Sequence, residues 1–232
     1  MKVYRLPRCS ITDVDTGLRA EQIWRGTARE RATLEDFVSI YEPNEAFSTS
    51  MLGKDRDMVS VRAKTKEEFE EYIERKNVPL ITMHRGGGMM WHGPGQINLS
   101  PLVDLRRLGI SITEYSELLE EVCVRTVQVF GVRGVRHHFH KGSQGAWVSV
   151  GGVLKKIAFF GWKDNRGIAI HGCTINVSPN LLPFSYINPC NLRGVEATSL
   201  QEVLGFAPPL YEVACVLEKV FVSLIQQKAH VD

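Results

Sequence analysis

The sequence predicts an α+β fold in which a mixed, largely antiparallel sheet packs against helices. Two features carry this prediction. Apolar runs of strand length are joined by short glycine-containing turns. Segments with the apolar spacing of amphipathic helices, each beginning at a capping residue, separate these runs. No repeat, low-complexity segment or proline-rich linker interrupts residues 1–232, so we expect a single domain.

The first part of the chain contains short elements of both kinds. Strands are expected at Lys2–Leu6, Asp36–Tyr41, Asp57–Arg62 and Leu80–Met83. A helix is expected over Leu18–Trp24. Thr65 and Glu68 form a capping box that begins another helix, and Asn77 marks its end.

The second part has clearer signals. Ser111 and Glu114 form a second capping box, and the helix that follows is expected to end near Gly131. Gly151-Gly152 predicts a two-residue hairpin turn between two strands, and Asp164-Asn165 predicts the next turn. The strands expected here are Ala146–Val150, Val153–Phe160 and Gly167–Val177. A final amphipathic helix is expected to carry Leu210, Val213, Leu217, Val220 and Leu224 on one face.

The composition argues against several classes of function. No apolar run approaches the ~20 residues that span a bilayer, so we expect no membrane association. A net charge of +2 is too small for bulk nucleic-acid binding. The 5 cysteines are scattered and form no CxxC pair, which argues against a zinc ribbon or a redox motif and favours a reducing compartment.

The densest candidate site is the glycine-rich segment from Arg85 to Gln96. Its glycines allow main chain to approach a ligand closely, although a tight turn between strands would also use them. The segment lacks the Gly-Lys-Ser/Thr ending of a phosphate loop and the spacing of a dinucleotide-binding loop. The flanking Arg85, Trp91, His92 and Gln96 bring charge and hydrogen bonding, and they favour a ligand-binding role.

A second candidate is the thiol in Asn188-Pro189-Cys190. It is either an inert packed cysteine or a nucleophile, and a nucleophilic cysteine needs a nearby cation or base. Lys155 and Lys156 could supply the cation. Because successive strand residues face opposite sides, only one of the two can face a shared pocket. The alternative is a lysine pair that protects a sheet edge.

Histidines provide weaker signals. His171 could orient a catalytic group or satisfy a hydrogen bond in the core. His137, His138 and His140 are close in sequence, but no cysteine or carboxylate ligand set accompanies them, so we expect no metal site.

Together these segments resemble the octanoyl-acyl-carrier-protein:protein octanoyltransferases of lipoate biosynthesis, a family related to biotin and lipoate protein ligases. The resemblance extends from about Pro79 to Leu204 and departs from the family pattern at Glu42, Gly88, Trp91 and Asn191. The motifs that carry it are, in order, Arg85-Gly86-Gly87, His92-Gly93-Pro94-Gly95-Gln96, Gly145-Ala146-Trp147-Val148, Lys156-Ile157-Ala158, His171-Gly172 with Asn176, Pro189-Cys190 and Thr198-Ser199-Leu200.

The resemblance implies a biotin/lipoate-ligase-like catalytic domain with the activity of a lipoyl(octanoyl) transferase. It implies that Cys190 attacks the octanoyl thioester of acyl carrier protein, that Lys156 supports the thiolate and relays protons, and that a lysine of a lipoyl domain then takes the octanoyl group. It implies no ATP, metal or other cofactor. The substrate-binding residues that it implies are Arg85, Gly86, Gly87, Gly88, Met89, Met90, Trp91, His92, Phe159, Phe160, Gly161, Gly172, Cys173 and Thr174.

The implied acceptors are the apo lipoyl domains of 2-oxoacid dehydrogenase complexes and the glycine cleavage H protein. We expect a monomer that acts in the cytoplasm, or in the mitochondrion of a eukaryote. Two alternatives stay open: an ATP-dependent lipoate or biotin protein ligase, and a non-catalytic protein that binds acyl groups or lipoyl domains. Cys190 favours the transferase because a ligase does not need it.

Overall fold

A computed structural model describes residues 1–5, 35–50, 65–83, 85, 88–133, 135, 144–192 and 194–229. The helix expected at Leu18–Trp24, the strand expected at Asp57–Arg62 and the histidines at 137–140 lie outside the described residues. Among the helices in the described ranges, none has both the length and the apolar composition that crossing a bilayer requires.

The strands form two sheets. In chain order they are β1 (Lys2–Arg5), β2 (Phe37–Tyr41), β3 (Ala46–Ser50), β4 (Leu80–Met83), β5 (Met90–His92), β6 (Gln96–Asp104), β7 (Ala146–Val150), β8 (Val153–Asn165), β9 (Ile168–Asn176) and β10 (Glu196–Ala197). The larger sheet has the order β1-β2-β6-β9-β8-β10, with β7 paired to β8, and the smaller has the order β4-β3-β5. Parallel pairs join β1 to β2, β8 to β10 and β3 to β4, whereas the other pairs are antiparallel. The predicted mixed, largely antiparallel sheet is confirmed.

Helices pack against both sheets. They are α1 (Lys66–Lys76), α2 (Ile112–Val129), α3 (Leu200–Leu204) and α4 (Leu210–Lys228), with 3-10 turns at Leu182–Tyr186 and Pro189–Asn191. The capping boxes at Thr65 and Ser111 both form. Gly131, with φ 86°, follows the end of α2 as predicted. Helices α2 and α4 pack against each other and against strands of the larger sheet.

The apolar interior has two principal parts. The main core lies where α2 and α4 meet the larger sheet, and includes Leu119, Val122, Leu217 and Phe221. A second group, which we call the aromatic cluster, joins the smaller sheet, α1, β8 and the chain near the 3-10 turns. Its members are Phe47, Phe69, Tyr72, Val78, Met89, Met90, Trp91, Phe159, Phe184, Tyr186, Ile187 and Ala197.

One predicted turn was wrong by two residues. Strand β8 continues beyond Phe160 to Asn165, and the chain reverses at Arg166 and Gly167. Both of these residues have positive φ, 54° and 87°, as a two-residue hairpin with the right-handed twist of its strands requires. Asp164 stabilises the reversal from the strand, because its carboxylate accepts a hydrogen bond of 2.8 Å from the Gly167 N–H.

Candidate functional site

Cys190 is held in an unusual backbone conformation. It lies in the 3-10 turn Pro189–Asn191 with φ 55° and ψ 29°, a left-handed conformation that few residues other than glycine adopt. Its N–H donates to the Met89 carbonyl over 3.4 Å, and its Sγ lies 3.6 Å from Met90 Sδ. Strained conformations of this kind cost about 1–3 kcal/mol and are concentrated at functional sites. The fold therefore holds this partly buried thiol against β5.

The two neighbouring lysines of β8 have opposite environments, as predicted. Lys155 is close to the surface and forms ion pairs with Glu202 at 2.7 Å and Glu196 at 3.5 Å. The Lys155 pKa is raised, chiefly by its hydrogen bond to Glu202. Lys156 is fully buried, with strand β7 on one side of it and β10 on the other.

A bulge in β8 determines the direction of Lys156. Ala146 of β7 pairs with Ala158, and Trp147 pairs with Lys156, so Ile157 is an extra residue that has no pairing partner on β7. Such a residue interrupts the alternation of side chains along a strand and redirects them. Positions 156 and 159 can therefore share a side, although they are three residues apart.

The surroundings of the Lys156 ammonium agree with this arrangement. Nζ donates to the Gln144 carbonyl over 2.6 Å. It lies 5.3 Å from the centroid of the Trp147 ring and 5.2 Å from that of Phe159. Both distances are within the range of cation–π attraction, which compensates in part for the loss of water around a buried cation.

The predicted catalytic pair is not in direct contact in this structure. Among the described residues, no hydrogen bond joins Lys156 Nζ to Cys190 Sγ. Both groups instead border the aromatic cluster: Nζ lies over Phe159, and Cys190 packs against the cluster from the 3-10 turn. Phe159 itself stacks on Phe184 with ring centroids 5.3 Å apart, so Lys156 Nζ borders the aromatic cluster at this ring pair.

A cavity lies between β5 and the strands β6, β8 and β9, next to the Met90 side chain that Cys190 contacts; neither Cys190 nor Lys156 lines it. The space between its walls is about 540 Å³ and includes open solvent at its mouth. Many of the predicted substrate-binding residues line it, namely Arg85, Met90, His92, Phe159, Phe160, Gly161, Gly172, Cys173 and Thr174. Gly172 allows a close approach of strands at its wall, because a Cβ there would lie 2.3 Å from the Leu99 carbonyl oxygen.

Other predicted residues do not line this cavity. Along β5, Met90 and His92 line the cavity, whereas Trp91, between them, and Met89, before them, do not line it and pack in the aromatic cluster, to which Met90 also belongs. The Trp91 indole N–H donates to Glu45 Oε1 over 3.2 Å, and the residue is 1% exposed.

Of the three predicted substrate-binding glycines that precede β5, only Gly88 is among the described residues. Gly88 contributes its carbonyl to a hydrogen bond from Arg85 and does not line the cavity. Gly86 and Gly87 lie outside the described residues.

Six further residues line the cavity although the sequence did not identify them as substrate-binding residues, namely Tyr41, Met83, Asn98, Leu99, Ser100 and His171. The sequence suggested for His171 only that it could orient a catalytic group or satisfy a hydrogen bond in the core. Asn98 and Ser100 carried a signal that could have identified them, because they are polar residues that alternate with apolar ones along β6 and both are buried. Tyr41, Met83 and Leu99 carried no such signal.

Several motif residues form hydrogen bonds in the framework around the cavity. Gln96 accepts from the Gly93 N–H and donates to Asn176 Oδ1, and Asn176 Nδ2 donates to the Thr198 carbonyl, each over 2.8–2.9 Å. The Thr198 N–H in turn donates to the Lys156 carbonyl over 2.9 Å. This buried network ties the turn before β6 to the strand that carries Lys156.

Arg85 places a cation near the thiol. Its guanidinium donates to the Gly88 carbonyl and to the carbonyl and Oγ of Ser48, over 2.7–2.9 Å. Burial lowers the pKa of Arg85 to about 10, and the nearby Cys190 acts in the opposite direction. Arg85 therefore stays positively charged at neutral pH.

His92 is neutral at the cavity wall. Its pKa is lowered to about 3, chiefly by burial and also by the nearby Arg85 and His171. Its Nε2 lies 3.1 Å from Ser48 Oγ. Its Nδ1 is buried and has no hydrogen-bond partner among the described residues. A polar group of a bound ligand could supply that partner.

The remaining cysteine of the cavity wall is part of the packing. Cys173 on β9 makes a hydrogen bond with Cys123 on α2, and this bond and burial raise the pKa of Cys123 well above its usual value. Both thiols are buried. Among the described residues, no group of three or more histidines, cysteines or carboxylates is arranged to hold a metal ion.

Comparison with known proteins gives matches over most of the chain. A family model described as the lipoyl protein ligase A/B catalytic domain matches residues 36–222. An octanoyltransferase of Desulfotalea psychrophila is 40% identical over 136 residues, which make up 59% of this chain and 59% of the relative. An octanoyltransferase of Polaromonas naphthalenivorans is 37% identical over 168 residues, 65% of this chain and 73% of the relative. The chain thus spans less than two thirds of the length of several curated relatives that it matches.

Solved structures share the fold at low sequence identity. A lipoate-protein ligase A bound with ATP has a TM-score of 0.67 and 14% identity, over 97% of this chain and 85% of the other. A putative lipoate protein ligase from T. acidophilum, with bound lipoic acid, has the same TM-score and coverage and 16% identity. These structures support the predicted biotin/lipoate-ligase-like fold.

Proposed function

The chain belongs to the lipoyl protein ligase A/B catalytic domain family, and on that premise we propose that it is an octanoyltransferase working through a thioester on Cys190. The observation that carries the proposal is the placement of Cys190. A partly buried thiol in a left-handed backbone conformation contacts Met90, which lines a cavity open to solvent. Curated relatives at 37–40% identity are named octanoyltransferases.

The proposed reaction consists of two exchanges at one acyl carbon. The Cys190 thiolate attacks the carbonyl carbon of an octanoyl thioester on acyl carrier protein, the new C–S bond forms, and the carrier thiol leaves with a proton. The amine of an acceptor lysine on an apo lipoyl domain then attacks the acyl-enzyme. A C–N bond forms, and the Cys190 sulfur leaves and recovers a proton.

The charges around the thiol support this sequence of steps. Arg85 offers a permanent positive charge near Cys190 during the first step. Lys156 is buried, with its Nζ over the Phe159 ring, and is the candidate for the proton relay. Because no hydrogen bond joins Lys156 Nζ to Cys190 Sγ here, we propose that a water molecule bound between the two groups passes the proton from one to the other.

The cavity suits a saturated chain. Met90, Phe159, Phe160 and Leu99 provide apolar and adaptable walls, and each methylene that leaves water contributes about 0.8 kcal/mol. The buried Nδ1 of His92 is a polar group at the same wall that could bind the acyl carbonyl.

Partners and compartment follow from this reaction. We propose octanoyl-acyl carrier protein as the donor and apo lipoyl domains, including those of 2-oxoacid dehydrogenases and the glycine cleavage H protein, as acceptors. The energy of the thioester drives the transfer, so the proposal includes no ATP and no metal. The compartment would be the bacterial cytoplasm or the mitochondrion.

The second candidate is an ATP-dependent ligase. It is favoured by the fold, because the structural neighbours include lipoate-protein ligases and biotin protein ligases. A ligase activates a free acid as an adenylate and has no use for a thiol at position 190. Requirement for Cys190 and requirement for ATP therefore distinguish the two reactions.

Intact-protein mass spectrometry tests the proposal. Wild-type protein is mixed with octanoyl-acyl carrier protein without ATP, beside Cys190→Ala and a matched Cys215→Ala variant, which removes a partly buried thiol of α4. We expect one octanoyl adduct on wild type and Cys215→Ala, none on Cys190→Ala, and loss of the adduct when apo lipoyl domain is added. Modification of the lipoyl domain only with ATP and free octanoate would instead establish the ligase.

The two lysines of β8 provide a second matched pair. We expect Lys156→Ala to abolish transfer to the lipoyl domain, and Lys155→Ala to leave it close to the wild-type rate, because Lys155 is directed to surface carboxylates. Equal loss in both variants would indicate that the effect comes from the strand and not from Lys156.

A further inference from the structure

A single peptide unit lies between two buried charged side chains. The Gly145 N–H donates to Glu120 Oε1 over 2.8 Å, and the carbonyl of the preceding residue, Gln144, accepts from Lys156 Nζ over 2.6 Å. These two groups belong to the same peptide bond. The described residues contain no cis peptide, so this N–H and C=O point in opposite directions.

The direction of this peptide dipole suits both charges. Its positive N–H end faces the Glu120 carboxylate, and its negative carbonyl end faces the Lys156 ammonium. Glu120 on α2 is 1% exposed and Lys156 is 0% exposed, so water does not screen the arrangement strongly. Hydrogen bonds to ionised groups are about twice as strong as neutral ones, and bonds in a chain strengthen one another in a medium of low dielectric constant.

The local sequence is consistent with this contact. Gly145 has φ 140°, which favours glycine, and a Cβ at this position would lie 2.4 Å from Lys156 Cε and 2.7 Å from the Ala158 carbonyl oxygen. The peptide can enter between α2 and β8 only because residue 145 has no side chain. Cys123, one turn after Glu120 on α2, is within electrostatic reach of both Glu120 and Lys156, which places all three in one buried region.

We propose that Glu120 is a positioning residue for Lys156 and acts through the Gln144–Gly145 peptide. Its carboxylate fixes that peptide, and the peptide carbonyl fixes the Lys156 ammonium beside the Trp147 and Phe159 rings. The inference rests on the proposed function, in which Lys156 relays protons during transfer.

The variant Glu120→Gln tests this role. The amide can still accept from the Gly145 N–H, but the charge is lost. We expect kcat for transfer to the lipoyl domain to fall by about tenfold or more, with KM within about twofold, because displacement of a catalytic group reduces the chemical step more than binding. The matched control is Glu121→Gln on the same helix, whose carboxylate pairs with Arg125 over 2.5 Å and should leave kcat unchanged.

A double-mutant cycle distinguishes positioning from a general structural effect. The rate of Cys190 acylation is measured in both backgrounds: Glu120→Gln should lower it when Lys156 is present and should change it by less than about twofold in Lys156→Ala, because its effect passes through the lysine. Additive losses in the two backgrounds, or a wild-type kcat in Glu120→Gln, would overturn the proposal.

A spectroscopic measurement keeps this test independent of activity. NMR of the lysine Nζ groups should give a resolved Lys156 ammonium signal that is protected from exchange in wild type, and that shifts and exchanges faster in Glu120→Gln but not in Glu121→Gln. An unchanged signal would refute the link even if no acyl-enzyme forms. If Glu120→Gln is unfolded, Glu120→Asp replaces it, because this variant retains the charge on a shorter side chain. It should lower kcat and shift the Lys156 ammonium signal, by less than the amounts expected for Glu120→Gln. An unchanged kcat and an unchanged signal in Glu120→Asp would count against the proposal.

Discussion

Gly145 and Lys156 are in such close contact that no side chain fits between them. A Cβ on Gly145 would lie 2.4 Å from Lys156 Cε and 3.1 Å from Nζ. The contact combines a motif glycine with the candidate proton relay. It explains why a glycine is needed directly before β7, at a position that the sequence alone identified only as part of a motif.

The first prediction concerns this contact. Gly145→Ala should displace the Lys156 side chain and lower the transfer rate by about tenfold or more, because a shift of about 1 Å in a catalytic group has effects of this size. Transfer from octanoyl-acyl carrier protein to the lipoyl domain, followed by mass spectrometry, measures it. Gly152→Ala is the matched control, since Gly152 also has positive φ but would place its Cβ within 4 Å of no other atom. Equal rates for the two variants would show that backbone strain alone is responsible.

The second prediction concerns the length of the acyl chain. Phe160 is half-buried and lines the cavity, so Phe160→Ala should enlarge the space and raise acylation by dodecanoyl relative to octanoyl carrier protein by about fivefold or more. Competition between the two donors, with both acyl-enzymes measured in one mass spectrum, gives the ratio. Phe206→Ala, at an exposed position outside the cavity, should leave the ratio unchanged. A constant ratio in Phe160→Ala would place the acyl chain elsewhere.

The third prediction separates Trp91 from the cavity. Trp91→Phe removes the hydrogen bond to Glu45 and part of the packing against Phe184, so the free energy of unfolding should fall by about 1–3 kcal/mol. The ratio of dodecanoyl to octanoyl transfer should remain that of wild type, because Trp91 faces the aromatic cluster. Urea unfolding and the competition assay measure the two quantities. An altered ratio with unchanged stability would contradict this placement.

The fourth prediction is a pH dependence of stability. The pKa of His92 is about 3 in the folded protein, whereas an unfolded histidine titrates near 6.5. Between these values the unfolded chain binds a proton that the folded chain does not, so this group lowers the free energy of unfolding by about 1.4 kcal/mol for each pH unit below 6.5. His92→Gln should therefore lose stability less steeply between pH 6.5 and 4.5 in urea titrations. Parallel curves for the two proteins would mean that His92 is protonated in the fold.

The sequence predicted the framework of the fold because much of it depends on local chemistry. The capping boxes of Thr65 and Ser111 mark helix starts through bonds within a single turn, and Gly151-Gly152 marks a hairpin by its positive φ angles. The turn after β8 was misplaced because Asp164 and Asn165 are common in turns. Their side chains can also stabilise a reversal that lies further along the chain.

The candidate site could be predicted only in part. A motif identifies a run of residues, but a strand directs alternate residues to opposite faces, so Met90 and His92 line the cavity, whereas Met89 and Trp91 pack in the aromatic cluster without lining it. Arg85 near Cys190, and Asn98 in the cavity wall, depend on which strands become neighbours. Sequence spacing does not contain that information.

By itself, the sequence determined the types of the main elements, the order of the motifs, and the choice of Cys190 and one lysine of β8 as candidates. The tertiary structure alone decided which groups surround them. The bulge at Ile157 set the direction of Lys156, and the packing of α2 on β8 brought Glu120 to the peptide that holds it. The physical reason is that propensities and turns act over a few residues, whereas the environment of a buried charge depends on contacts between segments far apart in the chain.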